Sequence, residues 1–258
     1  MLTAEQRHEF ERRGVVCLRG AVAAARVAAF REDILAFIAA NGIRPTGSGQ
    51  WLAIPPSRTR RIARAHGFAE LWGEPVMDAV DTLVSAGRWT LPHHAGQILA
   101  LNWPQPGFPW DVPRQSWHLD YPAPGAASAL PGVQVFLCLD RVEPRGGATL
   151  VAAGMARLVD AIRQRRGPAW EGRSADARQA AKREVPWFGE LCSARAGEDR
   201  IERFMAKATE FDGASLQVVE LTGEPGDVWL MHPWLPHNAS ANSRERPRMV
   251  LTERIRAS

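Results

Sequence analysis

The chain has 258 residues, 45% of them apolar, and carries a formal net charge of +4. That is enough apolar material for one substantial core, and one domain is expected, since β-sandwich and barrel domains routinely reach this length. The opening residues MLTAEQRHEF are too polar for a signal peptide, and no apolar run approaches the roughly 20 residues needed to cross a bilayer, so a cytoplasmic protein without a membrane partner is expected.

Of the 32 basic residues, 30 are arginine, a bias read as coding composition rather than as the mark of a partner. Nucleic-acid binders concentrate basic residues on one face or in a run with aromatics. Here the densest cluster is Arg58, Arg60, Arg61 and Arg64. It reads as a solvated helix face, with a site for an anionic small molecule as the alternative, and no nucleic-acid partner is expected. Cys17, Cys138 and Cys192 lack CxxC spacing and sit in apolar stretches, which argues against a disulfide framework or zinc knuckle and for buried thiols.

From the amino terminus, a Thr-x-x-Gln capping box opens a helix over about Thr3 to Arg13 carrying Phe10. A short strand, Val15 to Leu18, follows. A second helix, about Ala23 to Ala40, spaces Val27, Phe30, Ile34 and Phe37 along one face. A third, about Pro75 to Ala86, has a stripe of Val76, Val80 and Leu83. Residues 1–90 thus read as helical cladding.

Beyond Gly96 the pattern changes to short apolar runs separated by Pro and Gly: Ile98–Trp103, Trp117–Tyr121, Val133–Leu139, Thr149–Val151, Leu216–Leu221, Val228–Met231 and Met249–Arg254. These predict an antiparallel sandwich or jelly roll with its core in residues 96–152 and 211–256. The stretch from about 154 to 210 is polar and largely helical, an excursion of the kind that often forms a lid or substrate wall.

Two elements carry chemistry. In Trp117-His118-Leu119-Asp120 the polar side chains stand at i and i+2 of an apolar run, so on a strand both point to one side and can grip one ion. An isolated HxD is weak, because a His beside an Asp also makes an ordinary hydrogen-bonded pair. The second element is GDVWLMHPWLPHNASANSRERPRMVLTERI, with His237 as the third ligand candidate and His232, at a strand end, as its competitor. Two histidines and one carboxylate suit a catalytic Fe(II), leaving adjacent positions open. Arg248, eleven residues after His237, opens an apolar strand, where an inward guanidinium is costly unless it meets a carboxylate. A bidentate clamp on a dicarboxylate fits that position.

With Gln115 three residues before the HxD, the segment GGATLVAAGMA, and His237 followed by Asn242 and Arg248, the chain resembles the phytanoyl-CoA dioxygenase family of Fe(II)/2-oxoglutarate oxygenases. The opening LTAEQRHEFERRGVVCLRG is similar to that family's amino terminus, so the resemblance spans nearly the whole chain. It implies a double-stranded β-helix core, mainly β with flanking helices. It implies iron on His118, Asp120 and His237, Arg248 on the distal carboxylate of 2-oxoglutarate, and further hydrogen bonds to that co-substrate from Gln115 and Thr149. Turnover would consume O2 and 2-oxoglutarate, oxidise a small-molecule substrate by hydroxylation or another oxidation, and release succinate and CO2. Asp120 argues against halogenation, since related halogenases replace this carboxylate with a small residue. Two departures stand out: the family's Pro-Gly-Ser-His is Ala153-Gly154-Met155-Ala156 here, and the 117 residues from Asp120 to His237 exceed the family's usual interval.

Two other readings fit parts of the pattern. A cupin-like metal oxygenase or isomerase would have no dicarboxylate to hold, against Arg248, Thr149 and Gln115. A metal-free binding or scaffold sandwich would use the HxD as a core pair. The substrate is expected to be a small-molecule metabolite, with a fatty acyl thioester, an amino acid and an intermediate of specialised (secondary) metabolism all open by analogy with the family; the oligomeric state is equally open, and selectivity is expected from residues 154–210 and the Arg58–Arg64 segment. Ten tryptophans against one tyrosine include Trp103, Trp110, Trp117, Trp229 and Trp234 near the expected site. They read as core, or as the wall of a pocket for a flat or apolar substrate.

Overall fold

The helices at the amino terminus form where the sequence places their caps. In a computed structural model, which describes residues 1–40, 67–85, 87–96, 98–127, 129–193 and 199–258, α1 spans Ala4–Arg13. The Thr3 hydroxyl accepts from the Gln6 amide at 3.1 Å, and the Gln6 side chain returns a bond to the Thr3 N–H at 3.0 Å. Strand β1 (Val15–Leu18) follows, then α2 (Ala24–Ala40), α3 (Phe68–Trp72) and α4 (Glu74–Val84). On α2 the buried face is Val27, Phe30, Ile34 and Ile38, so Ile38 takes the place expected for Phe37, which is only half-buried. On α4 the stripe is Val76, Ala79, Val80 and Val84, and Leu83 packs at its edge. The Arg58–Arg64 cluster lies outside the described residues.

The remaining strands are β2 (Ile98–Asn102), β3 (Gly132–Cys138), β4 (Thr149–Ala153), β5 (Thr209–Phe211), β6 (Ala214–Glu220), β7 (Val228–Met231), β8 (His237–Ala239) and β9 (Arg248–Arg256). They make two antiparallel sheets, ordered β1-β7-β3-β9-β2 and β5-β6-β4-β8. This is the jelly-roll architecture expected, mainly β with flanking helices. Strand β3 is buried along its whole length because both of its faces are covered. Its Val133, Val135 and Leu137 meet the helical layer in one cluster with Phe30, Ile34 and Val80, while Phe136 and Cys138 face the other cluster with Val151, Trp229 and Val250. Alternate residues of one strand thus build the two halves of the core.

The excursion after β4 is helical as expected: α5 (Met155–Arg166), α6 (Ser174–Glu184), α7 (Pro186–Leu191) and a π-helical turn (Glu202–Ala206). Gly154, which turns β4 into α5, has φ +85°, and a Cβ there would stand 2.4 Å from the Ser215 carbonyl oxygen. The backbone, not side-chain chemistry, therefore dictates one residue of the segment that departs from the family pattern. Trp117–Tyr121 does not form the regular strand expected of it; its only pairing among the described residues is a single bridge between His118 and His237. The three cysteines are free, Cys138 buried and the other two half-buried. Among the described residues no helix is long and apolar enough to cross a membrane.

Candidate metal centre

Three side chains that are far apart in sequence converge where that bridge forms. His118 and His237 exchange backbone hydrogen bonds of 3.1 and 3.0 Å, which sets their rings side by side with centroids 4.3 Å apart. Asp120, two residues on, turns to the same side. Its Oδ1 lies 3.8 Å from His118 Nε2 and its Oδ2 lies 3.4 Å from His237 Nε2. One ligand atom from each residue falls within 4.8 Å of the others, a spacing that can hold one ion.

The tautomers of both rings are fixed by the chain. His118 Nδ1 is 2.9 Å from the Ser116 carbonyl and His237 Nδ1 is 3.0 Å from the Leu235 carbonyl. A carbonyl can only accept, so each Nδ1 carries the proton and each Nε2 presents a lone pair to the centre. Ser116 adopts φ +68°, a left-handed conformation unusual outside glycine, to bring its carbonyl under the ring. Desolvation, and then the proximity of His237, hold the His118 pKa below the usual histidine value, which favours the neutral, ligating form. The His118 side chain is 49% exposed against 7% for His237 and 14% for Asp120, so the centre opens on the His118 side.

Burial works against a charged Asp120, yet the adjoining His237 ring, the Arg254 charge and the Gln134 amide outweigh it and hold the carboxyl well below the ordinary range. Arg254 Nη2 is 2.7 Å from Asp120 Oδ1, and the Gln134 side-chain amide donates to Oδ2. Neither residue is among those expected from the sequence. Arg254 stands six residues after Arg248, an even spacing that puts both on one face of β9, and Gln134 is the lone polar residue in the apolar run GVQVFLC. Those were the available signals.

Deeper in the sandwich, Arg248 is 7% exposed and donates to the Thr149 hydroxyl at 3.2 Å. Its Nε has no partner, and no carboxylate among the described residues forms an ion pair with it. Burial lowers its pKa to about 10. The nearby Cys138 thiol is itself pushed up to about 12, chiefly by burial, and so supplies no counter-charge at neutral pH. A cation this desolvated is costly alone and suits an incoming carboxylate.

Of the residues expected beside Arg248, Thr149 is there. Gln115 lies at the rim, with an exposed side chain on a separate cavity of about 160 Å³ shared with Arg178, Lys182 and Cys192, while its carbonyl accepts from the Asn238 side chain at 2.5 Å. His232, the competing ligand candidate, is outside the cluster. It packs between the rings of Phe10 and Trp234 on another cavity of about 430 Å³. Asn242 is fully buried and donates to the carbonyls of Asn102 and Arg246, fixing the turn that leads into β9. Trp117, Trp229 and Trp234 are core residues.

Residues 10–250 match the family model described as Phytanoyl-CoA dioxygenase (PhyH). Among solved structures, the chain is similar to EvdO2 from Micromonospora carbonacea var. aurantiaca complexed with 2-oxoglutarate, at 13% identity, TM-score 0.54, covering 100% of this chain and 92% of that one. It is also similar to SnoN, a non-heme alpha ketoglutarate dependent epimerase from nogalamycin biosynthesis, at 16% identity, TM-score 0.52, covering 97% and 80%. A third is EctD from S. alaskensis in its apoform, at 18% identity, TM-score 0.50, covering 99% and 77%. At these identities the likeness speaks for the fold. A search of the curated proteins finds no match.

Proposed function

The chain belongs to the phytanoyl-CoA dioxygenase family of Fe(II)/2-oxoglutarate oxygenases, and on that footing we propose that it hydroxylates a small-molecule metabolite at an iron held by His118, Asp120 and His237. The donor set fits the ion: two neutral imidazoles and one carboxylate on one side, the other side open. The observation that carries the reading is Arg248, a buried guanidinium with an unpartnered Nε and no carboxylate counter-charge among the described residues. It fits the distal carboxylate of 2-oxoglutarate, with the Thr149 hydroxyl holding the fork in place.

Iron with 2-oxoglutarate and O2 supplies an oxidant strong enough to break a C–H bond, one oxygen atom ending in the substrate and the other in succinate, with loss of CO2. The protein's share is positional. The Ser116 and Leu235 carbonyls keep both imidazoles in the ligating tautomer, Arg254 and Gln134 keep Asp120 charged and oriented, and Arg248 with Thr149 sets the depth of the co-substrate. Gln115, exposed at the rim, is assigned no contact in this reading. Hydroxylation is preferred over halogenation because Asp120 occupies the position a halide would need. EvdO2 binds 2-oxoglutarate on a similar fold, which supports the co-substrate, whereas SnoN is an epimerase, so a similar fold does not by itself select hydroxylation.

The test is an anaerobic titration of metal-free protein with Fe(II) and then 2-oxoglutarate, following the visible charge-transfer band of the chelated co-substrate. A band that needs both additions and disappears in His237→Ala is expected. Iron binding without the band would favour a metal enzyme that does not use 2-oxoglutarate, and no iron binding would remove the catalytic reading altogether.

A further inference from the structure

The two residues that reach Asp120 are themselves neighbours. Gln134 on β3 and Arg254 on β9 are directly paired in the sheet register, so both side chains leave the same face at the same level. From there they divide the carboxylate between them. Arg254 takes Oδ1 with a charged bond of 2.7 Å, and Gln134 donates to Oδ2, the oxygen 3.4 Å from His237 Nε2. An ionised carboxylate offers about four lone-pair directions, so Oδ2 keeps one for the centre after Gln134 is counted.

Stability alone does not explain this arrangement. Arg254 Nε and Gln134 Oε1 are both buried without hydrogen-bond partners, and each unmade bond is a cost to folding. Apolar residues at both positions would avoid that cost and extend the apolar face formed by Phe136 and Val250 on the same strands. What the polar pair provides instead is a fixed carboxylate.

We infer that Arg254 and Gln134 are positioning residues that hold Asp120 as a one-oxygen metal ligand, with Arg254 capping Oδ1 so that the carboxylate cannot close onto the ion with both oxygens. The inference rests on the metal reading of His118, Asp120 and His237. Its consequence follows from counting positions. Three protein atoms leave three positions at a six-coordinate ion, a chelating 2-oxo acid takes two, and a second oxygen from Asp120 would take the position that an incoming diatomic molecule needs. The cap on Oδ1 keeps that position open.

The experiment uses the Fe(II) protein with 2-oxoglutarate under anaerobic conditions and titrates it with nitric oxide, reading the spin-3/2 signal by electron paramagnetic resonance. In Arg254→Met the nitric oxide dissociation constant is expected to rise about tenfold or more, within the range seen when groups behind a metal ligand are removed. In Arg254→Lys, which keeps one cationic donor for Oδ1, most of the affinity should return. Gln134→Leu, which leaves the cap in place, should weaken binding of Mn(II) to the metal-free protein by several-fold while changing nitric oxide affinity less. Unchanged nitric oxide affinity in Arg254→Met, or a loss that lysine does not restore, overturns the inference while the metal reading stands. If Arg254→Met does not fold, Gln134→Leu still decides, since wild-type Mn(II) affinity in that variant would overturn the inference. Failure of the wild type to bind iron overturns the metal reading and this inference with it.

Discussion

Arg200 and Arg248 are both almost completely buried, in two regions of the molecule, and they are satisfied in opposite ways. Arg200, 1% exposed at the end of the helical excursion, donates to the carbonyls of Val112, Leu191 and Pro113 at 2.9, 2.6 and 3.3 Å and lies over the Phe204 ring at 4.8 Å. Arg248, 7% exposed inside the sandwich, has the Thr149 hydroxyl and an Nε without a partner. The first is a strap tying α7 to the segment that leads into His118. The second lacks such acceptors, and is the one we propose meets a carboxylate from outside the chain. Burial of a charge therefore does not mark a binding site by itself; the number and kind of acceptors around it do.

The comparison can be broken most forcefully with Arg248→Met. Truncating one partner of a buried charge pair costs about 2–5 kcal/mol, so affinity for 2-oxoglutarate, followed by the charge-transfer band, should fall at least roughly thirtyfold. The ligand-free variant should melt no lower than the wild type, because a desolvated cation has been removed. Arg200→Met should do the reverse. Leaving three carbonyls unpaired should cost about 3 kcal/mol and lower Tm by roughly 6–12 °C, with 2-oxoglutarate affinity of the folded protein unchanged within a factor of two. If Arg248→Met lowers Tm without touching affinity, or Arg200→Met lowers affinity without touching Tm, the two roles are misassigned. A smaller change sharpens the Arg248 half. Thr149→Val removes the one hydroxyl on the fork and should weaken 2-oxoglutarate by about tenfold, since hydrogen bonds to charged groups contribute about 1.5–3 kcal/mol.

The difference between these arginines also shows what could be read in the sequence. Arg248 was legible because it opens an apolar strand at a fixed interval after a histidine. Arg200 was not, since its acceptors are backbone carbonyls from residues 112, 113 and 191, which leave no side-chain signature. Strands β1 and β7 were legible to the residue, because short runs bounded by Gly or Pro punctuate themselves. Strand β8 was missed: His-Asn-Ala has no apolar alternation and forms only by pairing with β4. Convergence of His118, Asp120 and His237 was readable as chemistry, but the expected strand geometry of the HxD was replaced by a single bridge. Gln134 and Arg254 escaped because their importance lies in a cross-strand register, and register is a tertiary fact.

His232 supplies a third way of accommodating a buried basic group, and the smallest of the expected effects. It neither recruits carbonyls nor awaits an anion; it gives up its proton. Its Nδ1 accepts from the Trp234 N–H at 3.1 Å, and desolvation, helped by the charge of Arg163, lowers its pKa from 6.5 to about 3. The sign of the consequence follows from linkage. Below pH 6.5 the unfolded chain takes up a proton that the folded protein refuses, so the stability associated with a neutral His232 is complete above that pH and is lost progressively as pH falls toward 3. His232→Phe keeps a ring against Phe10 and Trp234 but removes the titration. Between pH 7.5 and 4.5 the wild-type Tm should therefore fall further than that of the variant, by a few degrees at the acid end. Superimposable Tm profiles would mean that His232 is protonated in the folded protein, and its separation from His118 and His237 would then need a different physical basis.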